Sequence, residues 1–270
     1  MTNAQTPHTR PPAVAGMFYP GDAATLKRDV NMYIAAGAVE RKAPKAIIAP
    51  HAGYVYSGPI AGSVYALLSP ASSTIRRVVL LGPTHRVAVR GMALPTCDAF
   101  ATPLGNIPID RDAFNLLTDL SQVVLSDAAH AQEHSLEVQL PFLQAVLSDF
   151  RLLPFAVGHV GPEAVAEVLD RLWGGDETLI VVSSDLSHYL PYAAAREVDG
   201  ATAQRIVAES PDITHEEACG ATPLNGLLLA ARRRGLHPRL VDLRNSGDTA
   251  GDCSRVVGYG AFAFEGGDDV

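Results

Sequence analysis

The segment Ala46-Ile47-Ile48-Ala49-Pro50-His51-Ala52-Gly53-Tyr54 decides how the chain is read. Four apolar residues run without polar alternation, then stop at a proline followed at once by a histidine. A run this short, bounded by proline and glycine, predicts a strand buried on both faces, as in a parallel sheet. Residues 78–81, 152–157 and 179–182 repeat the pattern.

Between and after these runs the apolar spacing changes to that of helices. Leu136, Leu140, Leu143 and Leu147 form one stripe, and Val165, Val168, Leu169 and Leu172 a second. Leu224, Leu227, Leu228 and Ala231 form a third. Asp22 is placed to cap a helix running to residue 36, with Leu26, Val30, Tyr33 and Ile34 on one face. Alternating strands and helices predict an α/β fold: a central, mostly parallel or mixed sheet flanked by helices. Residues 91–110 read as a β-excursion beside that sheet. Residues 239–243 and 256–264 read as two closing strands joined by a Gly/Asp/Asn/Ser-rich loop.

Composition bounds the function. With 47% hydrophobic and 19% charged residues, the chain has enough apolar surface to offset its ordering entropy, so disorder is excluded as its main state. Setting 21 basic against 29 acidic residues leaves −8, which argues against a general electrostatic grip on nucleic acid or anionic lipid. Three cysteines, Cys97, Cys219 and Cys253, with no CxxC pair, fit neither a disulfide framework nor a zinc ribbon. Residues 1–12 are polar and Pro-rich, without the apolar centre of a signal peptide, and read as a flexible arm ahead of one domain over 13–270. No run approaches the roughly 18 apolar residues of a membrane helix, so the expected location is the cytoplasm.

The chemistry is carried by residues that follow the strand candidates. His51 follows the first, His85 follows the second in Leu81-Gly82-Pro83-Thr84-His85, and Asp185 and His188 follow the last in Ser183-Ser184-Asp185-Leu186-Ser187-His188. In parallel α/β sheets ligands bind beyond the carboxyl ends of the strands, so these residues gather at one edge. Cys253 lies in the loop 245–254, and a returning final strand would bring that loop to the same edge. One strand-end histidine alone is most often structural, but convergence of imidazoles, a thiol and an Asp/His pair is the pattern of a first-row transition-metal site. Cys97 and Cys219 are read as structural. In Glu133-His134-Ser135-Leu136-Glu137, His134 is a further site candidate and His130 a weaker one. Three hydrolase or nucleotide signatures are missing: HExxH, GxSxG and the phosphate loop.

At these residues the chain resembles the Memo family. The resemblance is carried by Ala13-Val14-Ala15-Gly16-Met17-Phe18-Tyr19-Pro20, Pro50-His51-Ala52-Gly53-Tyr54, Leu81-Gly82-Pro83-Thr84-His85, Glu133-His134-Ser135, residues 183–188 and residues 245–262, and it spans about 12 to 264. It implies a fold shared with the class III extradiol dioxygenases, which are non-haem iron enzymes. It also implies a metal trio of His51, His85 and Cys253, where the dioxygenases use two histidines and a carboxylate. Fe(II) is the implied ion, with Cu or Zn as alternatives, since a thiolate is a softer donor than a carboxylate. His188 is then the general acid/base, Asp185 its orienter or a metal contact, and His134 a catalytic or substrate-binding group. The activity expected is redox or oxygenase-type, on an unidentified small molecule or peptide. The rival expectation is a non-catalytic module that binds a peptide or partner. Microbial members of the family are often called component B of a system that includes AMMECR-like and radical SAM proteins, which makes those the implied partners.

Overall fold

The four apolar runs become adjacent parallel strands at the centre of a nine-stranded sheet. A computed structural model describes residues 8–38 and 42–266. Its strands, numbered along the chain, are β1 (Thr9–Arg10), β2 (Ala46–Ala49), β3 (Arg77–Pro83), β4 (Met92–Leu94), β5 (Ala99–Thr102) and β6 (Gly105–Pro108). They continue with β7 (Val123–Leu125), β8 (Arg151–Val157), β9 (Thr178–Ser183), β10 (His188–Leu190), β11 (Leu236–Asn245) and β12 (Val256–Gly266). The helices are α1 (Ala23–Ala35), α2 (Tyr54–Tyr65), α3 (Asp127–Ala131), α4 (His134–Glu137), α5 (Leu140–Val146), α6 (Pro162–Leu172), α7 (Tyr192–Val207), α8 (Ala221–Arg232) and α9 (Ser246–Thr249).

The main sheet runs β10-β12-β2-β9-β3-β8-β4-β7, with β11 on the far side of β12. Strands β2, β9, β3 and β8 are mutually parallel; β12 returns antiparallel to β2, and β4 antiparallel to β8. The fold is therefore mixed α/β. Alternate residues of the central strands face opposite layers, as the two-residue period of a strand requires. Ile47, Val78, Leu80 and Val181 pack with α1, α2 and α5, while Ile48, Val79, Leu81 and Val182 pack with α6, α7 and α8. Both faces are covered, which is why these runs lack polar alternation.

Asp22 caps α1 as read, accepting the Thr25 N–H at 2.8 Å. The leucine stripe 136–147 is wholly buried but divides between α4 and α5, with Pro141 in the first turn of the second. Two of the longer helices have no counterpart in the sequence reading. In α2, Gly58, Pro59 and Gly62 conceal the helix; a Cβ at Gly62 would lie 2.5 Å from the Tyr33 backbone, so the glycine lets α1 and α2 approach closely. In α7, a long run of alanine and charged residues gives little apolar periodicity.

The flexible-arm expectation needs correction where the chain is described. Residues 1–7 lie outside the described residues, but Thr9 and Arg10 form β1, paired parallel to β5, and Arg10 is buried. The guanidinium is paid for by an ion pair with Glu137 at 2.7 Å, a device that composition does not reveal. Strands β1, β5 and β6 make a small second sheet, so the excursion 91–110 divides between it and β4 of the main sheet. No helix among the described residues is long and apolar enough to cross a membrane.

Candidate metal centre

Strand order builds the centre. Because β9 lies between β2 and β3, the segments leaving β2 and β3 place His51 and His85 on either side of the end of β9, their ring centroids 5.2 Å apart. Helix α4 lies across the end of β3, where the Ser135 hydroxyl donates to the Pro83 carbonyl at 2.8 Å. A Cβ at Gly82 would meet that hydroxyl at 2.7 Å, so the glycine permits the crossing. His134, at the first position of α4, thereby comes within 4.5 Å of the His85 ring and 5.5 Å of the His51 ring. Among the described residues, His51, His85 and His134 form a group whose ligand atoms all lie within 4.8 Å of one another.

Hydrogen bonds decide which ring nitrogens are free. The Ser183 hydroxyl donates to the Ser135 carbonyl at 2.6 Å and accepts from Gln139 Nε2 at 2.7 Å. Its remaining lone pair faces His51 Nδ1 at 3.0 Å, so Nδ1 carries the proton and Nε2 keeps its lone pair. Gln139 is oriented in turn, donating to the Pro50 carbonyl and accepting from the Tyr65 hydroxyl. His85 Nδ1 donates to Glu133 Oε1 at 2.8 Å, while its backbone N–H reaches Oε2 at 2.5 Å. Its Nε2 is likewise left as a donor to a metal. A carboxylate or hydroxyl behind a ligating imidazole is the usual support for a metal site.

The electrostatics suit neutral ligands. Burial, with His85, His134 and His188 nearby, holds His51 well below the usual imidazole value. His134 is lowered to about 4 by burial, then by His85. For Glu133, burial opposes the charge, but hydrogen bonds from His85 and Ser135 hold the carboxyl down at about 2. Asp185 is raised to about 7 by burial, against its hydrogen bonds from the backbone N–H groups of His51 and Ala52.

The other predicted residues fall into place unequally. Asp185 Oδ1 accepts the His51 N–H at 2.7 Å, which makes it a support for the His51 turn. His188 stands at the rim, exposed as a residue; desolvation lowers its imidazole, the Leu186 backbone opposes this, and His85 adds to it. His130 is elsewhere, buried and bonded to the Ala93 carbonyl at 2.8 Å.

Cys253 does not join this histidine group. It is exposed in the β11–β12 loop, its thiol beside Gly247, and like Cys219 it lies outside the group of three histidines. The loop lies at the predicted edge of the sheet. With Phe262 paired to Ile48, the hairpin runs on past the end of β2 to the pair Asn245 and Gly258. Cys219, read as structural, lies against one of the histidines. Its Sγ is 3.2 Å from His51 Nε2, and burial followed by the nearby Asp185 pushes the thiol up to about 12. The signal that marks it is Gly220, the cap residue of α8: helices that pack back along parallel strands begin at the carboxyl edge. Gly220 lies so close to Ser183 and Ser184 that a Cβ would meet both at 2.7 Å.

The family model described as Memo-like protein matches residues 10–263. A MEMO1 family protein of Methanosarcina barkeri is 36% identical over 95% of this chain and 100% of its own length. One from Aquifex aeolicus is 37% identical over 94% and 98%. One from Methanopyrus kandleri is 35% identical over 96% and 99%. A crystal structure of an uncharacterized Escherichia coli K12 protein covers 79% of this chain and 98% of that one at 13% identity, with a TM-score of 0.48, a distant likeness. The matches run through all the segments that supply the histidine cluster and Cys219, and the chain belongs to the Memo family.

Proposed function

We propose that the protein binds one first-row transition metal through His51 Nε2, His85 Nε2 and the Cys219 thiolate, and that it is a redox or oxygenase-type enzyme. One observation carries this reading. Two imidazoles keep bare Nε2 atoms because their Nδ1 protons are engaged by Ser183 and Glu133, and a thiol lies 3.2 Å from one of those atoms. Two nitrogens and a sulfur suit Fe(II) first and copper or zinc next. Fe(II) would supply a redox centre with room for a substrate.

The chain's own residues do the rest. His134 faces the same point and serves as a fourth donor or a substrate contact. His188 at the rim takes and returns a proton, and Asp185, poised at about 7, holds one at the back of the site. A metal bound by Cys219 would displace the proton from its raised thiol.

A second reading, peptide or partner binding, is favoured by one feature. Met17, Val55, Tyr56 and Tyr189 are large exposed side chains, and each belongs to a segment that carries Phe18, His51 or His188. The test is elemental analysis of anaerobically purified protein, with oxygen uptake measured on candidate substrates. The enzyme reading expects about one iron per chain, at most a few per cent of that in His51→Ala, and uptake that needs the metal. Full metal content without any uptake, together with peptide binding that ignores His51→Ala, favours the module.

A further inference from the structure

We propose that Glu137 is a positioning residue of the centre, knotting residues 13–19 into a strap that presses the Phe18 ring onto His134. The segment Ala13–Pro20 is one of the motifs by which the chain resembles its family, yet it supplies no ligand. Its structure shows a different task. Val14 and Tyr19 close a tight loop: the Gly16 N–H donates to the Tyr19 carbonyl at 2.8 Å, and the Phe18 N–H to the Val14 carbonyl at 2.9 Å. Gly16 takes a φ of 79°, the left-handed region that favours glycine.

Glu137, fully buried on α4, grips both ends of this loop. Oε1 accepts from the Val14 N–H at 2.9 Å and the Tyr19 hydroxyl at 2.6 Å; Oε2 accepts from the Ala13 N–H and from Arg10 Nη1, both at 2.7 Å. Four donors on one carboxylate fill its acceptor sites. Arg10 extends the knot towards the ligands by donating to the Glu133 carbonyl at 2.9 Å. The strap's outer side is tied to α2, where the Tyr54 N–H donates to the Phe18 carbonyl at 2.7 Å.

The consequence falls on His134. Its ring lies between Phe18, 4.7 Å away, and His85, 4.5 Å away. Nδ1 is 3.4 Å from Glu133, too long and loose to set the ring alone. The Phe18 wall sets it, and Glu137 sets the wall. Helix α4 spans only four residues, so Glu137 and His134 move as one body. The effect on the centre rests on the metal reading above; the strap itself does not.

The test separates the two. Metal-free full-length protein with labelled histidines is compared by NMR with Glu137→Gln, Tyr19→Phe and Phe18→Ala, and amide exchange is followed in parallel. In the parent, the His134 ring signals carry a ring-current shift that Phe18→Ala removes. Glu137→Gln should move them the same way and speed exchange of residues 13–19 at least about tenfold, with the central strands unchanged. Tyr19→Phe, which deletes one donor and leaves the rest, should do the same in smaller degree and stands in if Glu137→Gln fails to fold. With Co(II) as probe, affinity should fall about tenfold in both Glu137→Gln and Phe18→Ala, without adding in the double variant. Parent-like His134 signals and parent-like strap exchange in a folded Glu137→Gln or Tyr19→Phe overturn the proposal. A parent that binds no Co(II) overturns the metal reading instead, and the NMR and exchange results still decide the strap.

Discussion

At the scale of single residues, the centre depends as much on what stands behind each ligand as on the ligand. Glu133 illustrates this. One carboxylate accepts from the His85 ring, the His85 backbone and the Ser135 backbone, so it fixes both the tautomer of the imidazole and the start of α4. Glu133→Gln puts an amide NH2 where a second acceptor is needed, leaving one donor facing another. We expect metal affinity to fall roughly 10–100-fold, measured by titration with Zn(II), while the fold survives. Affinity within a factor of two of the parent would show that His85 needs no partner. The residue level is also where the sequence was least legible. His51, His85 and His134 were marked by their places after strands or before a leucine stripe. Cys219 was not, because a lone cysteine ahead of a helix looks the same whether it packs or ligates. Cys253 drew attention through its polar loop, in which its side chain is exposed. Ser183 and Gln139 gave no signal: a serine ending an apolar strand and a glutamine inside a leucine stripe acquire roles only when the folded chain brings them behind His51.

At the scale of elements, legibility followed periodicity. The four buried strands and the stripes of α6 and α8 were plain, because burial on a sheet or along one helical face writes a regular apolar spacing. Helix α2 was hidden by the residues that make it work. Gly58 and Gly62 weaken helix propensity, but a Cβ at either would meet Tyr33 of α1, at 2.6 Å and 2.5 Å. Close helix contact here outweighs local preference. Gly62→Ala should therefore destabilise the protein by about 1–3 kcal/mol, against the small gain expected from alanine in an open helix. Urea unfolding measures this, and a more stable variant would mean that α1 and α2 do not approach as closely as described. The position of α2 matters to function, since its first residue follows Gly53 and the His51 turn, and its Tyr54 hydroxyl donates to the Val138 carbonyl just beyond α4. Two elements that carry site histidines are thus tied together behind the site.

At the scale of the molecule, a two-layered α/β sheet brings three ends together that lie far apart in the chain. Strand order β2-β9-β3 does most of this: it brackets Ser183 and Asp185 between His51 and His85, and the turn ahead of α8 sets Cys219 beside His51. The Memo family and the mixed sheet were both readable from ordered motifs and apolar runs. The proposed exchange of Cys253 for Cys219 as the sulfur ligand rests on the thiol beside His51. The most direct measurement is the near-ultraviolet absorption of the Co(II)-loaded protein, in which a cysteine thiolate bound to the metal gives a charge-transfer band that nitrogen and oxygen ligands do not. The band is expected in the parent and in Cys253→Ser, and its loss is expected in Cys219→Ser. A band that survives Cys219→Ser and disappears in Cys253→Ser would contradict the exchange.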